Sequence, residues 1–444
     1  MKQGTMAMAA LLLGSIGGVQ IWAAAGMSAG IGLASILVWL AAAGIMAMVA
    51  LYLLRCASFY SRVAGGYAYV KAAYGHFYGF FAGWSTIWAE AITLGILAVL
   101  ASKMIGTLVQ LPVVADIGIK AGFIVIIVIL TLLDARVTSR WWSAAKLVML
   151  FVFLGIGAIF VASNPSALAL GWTGGWLGVL PALAIAIWAF GGFEIASMPS
   201  KITDDIRLPV AIAFGIAVII FICFSTFVQV AAGNSALPIV SAATGIPAAL
   251  GLGLAGIAFI VAAALVAFLS PSAARTPHVC LLSKAMVADG MLPPMVGRHE
   301  RNDVLLVPLI AQAVIAFIAS LFNDVGGLIF FAFVLLALSL ASTSIAYGRL
   351  RRYYLRKPYE KFSPDYSVVL VVAILAVTVT QIPIEPLLIA VMVILLGIPF
   401  YIHFAPKTEN AVMKEKITSE IFIEKACGVA RRAYLGSLLE RRTK

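Results

Sequence analysis

Charge is scarce in this chain. Only 11% of its 444 residues are Asp, Glu, Lys or Arg, 63% are hydrophobic, and the mean hydropathy is +1.09. Soluble domains carry about 25% charged residues, so this composition excludes an ordinary soluble fold and requires a polytopic membrane protein. Cysteine is nearly as rare. Cys56, Cys223, Cys280 and Cys427 are scattered without metal or disulfide spacing, read as unpaired, and support no redox role. No GxxxxGK[ST], no HExxH and no plausible Ser-His-Asp set occurs among the four histidines, His76, His278, His299 and His403, all read as lying near membrane edges. No enzyme class, ATP use, metal or cofactor emerges. The first apolar run opens near Met6 without a basic preamble or a small-residue cleavage site, so it is expected to be a retained span.

What the chain has is apolar runs long enough to cross a bilayer, at about 20 residues each. Twelve are expected, near 5–26, 32–54, 77–102, 119–133, 143–162, 178–199, 209–231, 249–274, 304–322, 327–347, 367–382 and 386–404. A net charge of +12 suits a nucleic-acid partner, but its distribution points elsewhere. Of the 30 basic residues, all but Lys103, Lys120 and Lys146 fall in the even-numbered connections, at the start, or in the tail. The positive-inside rule then puts both termini in the cytoplasm. The tail after Pro406 has helix-like spacing and a basic face, suited to an anionic leaflet at about 1 kcal/mol per basic residue.

One stretch organises the rest: WAFGGFEIASMP, from Trp188 to Pro199. Gly191 and Gly192 interrupt an apolar helix and Glu194 follows them. An uncompensated charge at a span's centre costs roughly 2.5–3.5 kcal/mol or more, so an intramembrane acid is a candidate site by default. Irregular backbone at that depth persists only where it lines a cavity or is buried in protein. The first span repeats the pattern at Gly14, Gly17 and Gly18. Close helix packing would explain these small residues; so would a second unwound point. Interrupted segments at corresponding places in two halves point to a midplane substrate site between inverted repeats. No helix reads as polar along a continuous face, which argues against a channel.

The segments LGSIGGVQIW (13–22), SRVAGGYAYVKAAYGHFYGFFAGW (61–84), WAFGGFE and SKAMVADGMLPP (283–294) resemble, in order and spacing, the signatures of the amino acid-polyamine-organocation transporter superfamily. The resemblance covers about the first three hundred residues. It implies an all-α membrane protein with the leucine-transporter-type fold: repeats at 1–162 and 163–348, two added helices at 349–404, and a cytoplasmic tail at 405–444. It also implies that Ile16, Gly17, Gly18, Val19 and Gln20 contact one end of the substrate, and that Trp188, Phe190 and Gly191 contact the other. Where many relatives have Gly-Ser-Gly, this chain has Gly18, Val19 and Gln20, which adds bulk and an amide dipole. The acidic pair and Asn-Pro that often follow the span-6 break are replaced by Ser200 to Asp205.

Four further charged positions carry alternatives. Glu90 in span 3 is either a partner for a polar group on another helix or part of a permeation or proton path. Lys146, about one turn inside span 5, either snorkels to the interface or, as the resemblance implies, takes the place of a coupling ion and carries the proton. Glu194 is either a structural acid satisfied by backbone amides or, by resemblance, a proton-dependent gate. Arg275 is an interfacial anchor if its span ends near Ser270. Counting back from Asp289-Gly290, the resemblance instead implies that Arg275 stands where relatives keep a large side chain near the inner pathway, and a guanidinium there could grip a second substrate carboxylate. Lys103 is expected to snorkel at the outer edge. The reading that follows is a secondary transporter of amino acids or related amines, coupled to protons or to an exchanged solute. Its partners are then a small-molecule substrate, protons and membrane lipids. A receptor that keeps the fold but no longer transports is the alternative.

Overall fold

In lipid, every backbone N–H and C=O must find its partner inside the protein, and an apolar chain solves this with helices. The computed structural model describes residues 9, 12–16, 25, 28, 31–32, 34–59, 64–163, 176–194, 207–232, 253–302, 304–354 and 366–404. Its helices are α1 (Ala34–Phe59), α2 (Gly65–Tyr74), α3 (His76–Ile105), α4 (Val113–Ser163), α5 (Trp176–Ala189), α6 (Arg207–Ala232), α7 (Gly253–Ala288), α8 (Leu306–Ser320), α9 (Val325–Tyr354), α10 (Tyr366–Val379) and α11 (Ile384–Phe404). A two-stranded hairpin, β1 (Glu300–Arg301) with β2 (Val304–Leu305), joins α7 to α8. Seven of the described helices are long and apolar enough to cross a membrane; α5, α8 and α10 are shorter apolar helices.

Two expected boundaries are corrected. Runs 119–133 and 143–162 lie in one uninterrupted 51-residue helix, α4. Its length of about 77 Å exceeds a hydrocarbon core of about 30 Å more than twofold, so one crossing accounts for only part of it. The reason is local: no glycine or proline lies between Gly122 and Gly155, and Asp134 to Arg140 contain nothing that stops a helix. The eighth span does not end near Ser270. α7 continues through Pro271 and Pro277 to Ala288, as membrane helices can when nearby groups take up the freed backbone. In that stretch the Ser272 hydroxyl donates to the Phe268 carbonyl at 3.0 Å.

α3 lies at the centre of the packing, touching α2, α4, α7, α8, α9 and α11. Near its end at Ile105, buried Lys120 donates to Asp116 at 2.5 Å and to the Asn323 side chain at 2.6 Å, while Ser102 donates to Asp116 at 2.5 Å. Lys103, expected to snorkel at the outer edge, donates to the Asn323 carbonyl at 3.1 Å. This network ties α3, α4 and the α8–α9 turn together. At the opposite end the two most specific segments of the sequence meet. Tyr67 of GGYAYVKAAYG donates to Asp289 of ADGMLP at 2.8 Å, and Lys71 forms an ion pair with the same carboxylate. Gly75, at φ +92°, turns the chain from α2 into α3, a backbone state that favours glycine.

Candidate functional site

The interruption read at Gly191-Gly192 is present. α5 stops at Ala189, Phe190 to Gly192 form a turn, and Gly192 has φ +106°. In the first span the helical turn at 12–15 ends in a bend at Ile16, whose N–H donates to the Leu12 carbonyl at 3.0 Å. The two places meet: a Cβ at Gly192 would collide with the carbonyl group of Ser15. That close approach, added to the positive φ, is why glycine stands there. Gly17, Gly18, Val19 and Gln20 lie outside the described residues.

Charge converges on this junction from two other elements, and Glu194 of the broken segment adds a third ionisable group. Glu90, at the middle of α3, and Arg275 of α7 are both buried, at about 5% exposure. Arg275 grips Glu90 side-on, Nε to Oε2 at 2.7 Å and Nη2 to Oε1 at 2.8 Å. A fork of this kind fixes both geometry and charge. The arginine runs beside the break: Cβ atoms on Gly191 and Gly192 would stand 3.5 Å from its Nη2 and Cδ. Glu194 turns back so that its Oε2 accepts from the Gly192 N–H at 2.7 Å, and it interacts electrostatically with both Arg275 and Glu90. Ser270 of α7 donates to the Gly14 carbonyl at 3.2 Å, tying that helix to the first span.

These contacts bear on two of the alternatives. Arg275 is not an interfacial anchor, since α7 carries it into the interior, and its fork is already engaged by a carboxylate of the protein. Glu90 has the partner on another helix that one reading required. Trp188 is buried with its indole donating to Thr93 at 3.3 Å. Phe190 is enclosed by Trp39, Phe214 and Phe221, with its ring centroid 4.5 Å from that of Phe221. Lys146 lies within α4, and its side chain falls outside the described residues. Ile16 is buried at the bend.

Below the junction, toward α2, a cavity of about 20 Å³ is lined by Tyr67, Thr86, Glu194, His278, Ser339 and Thr343, among others. That volume is room for about one water. Thr86 and Ser339 close it from two sides, hydroxyl to hydroxyl at 2.8 Å. His278, read from sequence as an edge residue, is buried in this wall within electrostatic reach of Glu90 and Arg275. The sequence held signals for these residues. Thr86, Glu90 and Thr93 recur at i, i+4 and i+7 on α3, a partial polar stripe where none was read, and His278 follows Arg275 at i+3. Among the described residues no cluster of three or more His, Cys, Asp or Glu could hold a metal ion.

The geometry is therefore two interrupted segments in contact, a compensated ion pair beside them, and a water-sized cavity on one side. A family model described as amino acid permease matches residues 4–415.

Proposed function

The chain belongs to the amino acid permease family, and from that premise we propose that it is a secondary active carrier of amino acids or related amines, working by alternating access around the first and sixth spans. Family membership and the apolar helices make it a multi-pass membrane transporter of the amino acid class. The finer reading is ours: two inverted five-span repeats at 1–162 and 163–348, two added helices at 349–404, and a basic tail at 405–444, with both termini in the cytoplasm of a cell whose membrane it spans.

The observation that carries this reading is the contact between Gly192 and Ser15. Helix ends that face each other in a protein interior offer N–H dipoles to a carboxylate and carbonyls to an ammonium group. A zwitterion needs both. Ile16 to Gln20 then serve one end of the substrate and the Trp188 to Gly191 segment the other. Glu194 joins the break to the wall of the water-sized cavity, which supports a role in proton coupling; Lys146 is the second candidate for it. Glu90, held by Arg275, fits charge compensation better than proton exchange.

Purified protein in liposomes, given a labelled amino acid mixture under an imposed pH gradient, tests the proposal. Uptake above protein-free liposomes, saturable and stimulated by the gradient, is the expected result. Glu194→Gln should keep uptake and lose its pH stimulation. Stimulation that survives in both Glu194→Gln and Lys146→Met removes the proton assignment, and ligand-induced thermal stabilisation without accumulation would make the protein a receptor instead.

A further inference from the structure

We propose that Glu90 is a resident counter-carboxylate that sets the charge class of the substrate: by holding Arg275 it makes the site select amino acids with uncharged side chains and reject dicarboxylic ones. The inference rests on the carrier reading above and deepens it.

Three observations carry it. First, both oxygens of Glu90 are used by the guanidinium, at 2.7 and 2.8 Å, and both side chains are buried. Second, the arginine lies alongside Gly191 and Gly192, the second of which abuts Ser15, so it borders the junction where a substrate would be held. Third, the charges at this junction do not leave a positive surplus. Arg275 is cancelled by Glu90, and the other ionisable groups within electrostatic reach of the pair are an acid, Glu194, and the imidazole of His278. An acidic side chain entering here meets two carboxylates, and it can take Arg275 only by leaving Glu90 buried without its counter-ion. A cationic side chain meets Arg275. An uncharged one meets a neutral pair and disturbs neither.

The mechanism is discrimination by repulsion, in which a like-charge juxtaposition in a desolvated site separates substrates by on the order of 100-fold. It also identifies the residue to change. Glu90→Gln keeps the shape and one acceptor but removes the charge, so the guanidinium loses its ionised fork partner and the junction becomes less negative by one charge.

Uptake of a labelled neutral amino acid by the reconstituted full chain is measured against unlabelled leucine, alanine, glutamate and lysine. In the wild type, leucine or alanine should inhibit on the order of 100-fold more strongly than glutamate. In Glu90→Gln, glutamate should gain at least about tenfold relative to leucine. The double variant Glu90→Gln/Arg275→Gln, neutral at both positions, should be as indifferent to glutamate as the wild type, and it decides the matter if the single variant does not fold. Equal inhibition by glutamate and leucine in the wild type overturns the proposal. So does a folded Glu90→Gln protein with an unchanged ranking, or a double variant that accepts glutamate. Absence of uptake for every amino acid would instead sink the carrier reading, so the two failures are distinct.

Discussion

Gly192→Ala probes the junction on which the site depends. Two separate costs arise at this position. The backbone has φ +106°, where an L side chain is strained by on the order of 1–3 kcal/mol. The added methyl would also collide with the Ser15 carbonyl, which is backbone and cannot rotate away, and overpacking of this kind costs roughly 1–3 kcal/mol more. Together the loss is about 2–6 kcal/mol unless the two segments separate, and separation would itself disturb the site. Gly44→Ala is the control: it lies within α1, has a φ outside the left-handed range, and its Cβ would meet nothing within 4 Å. Thermal unfolding in detergent, read by the amount of monodisperse protein left after heating, should show a clear drop for Gly192→Ala and none for Gly44→Ala. Uptake should fall in the first variant alone. Wild-type melting and wild-type uptake in Gly192→Ala would refute the contact between the two segments, and with it the construction of the site.

Two further substitutions test what surrounds the junction. Arg275→Met leaves Glu90 buried beside Glu194 and should destabilise the protein by about 3–5 kcal/mol; adding Glu90→Gln should recover a substantial part, because breaking a buried pair costs more than removing it. A double-mutant cycle on melting temperatures reads that coupling, and strict additivity would contradict it. Lys120→Met deprives Asp116 and Asn323 of a buried donor at the end of α3 and should cost about 1–3 kcal/mol without changing substrate ranking. A changed ranking in that variant would mean that this network reaches the site.

The sequence by itself determined the class of molecule, most of the helical runs and the location of the break. Each follows from a local rule. Apolar runs must be helical in lipid, adjacent glycines allow a left-handed turn at Gly192, and an acid within a span demands compensation. It therefore announced that Glu90 and Glu194 needed explaining. It did not reveal that Glu90 is answered by Arg275, whose partner is 185 residues away along the chain. That pairing depends on α7 passing through Pro271 and Pro277 instead of stopping, and local propensity argued for the stop. The same limit concealed His278 and the shared binding of Asp289 by Tyr67 and Lys71. Helix periodicity specifies which side chains share a face, but only packing specifies which faces oppose. Whether a buried charge meets its counter-ion or a ligand is decided by that opposition, because Coulomb attraction in a low-dielectric interior is large only over a few ångströms.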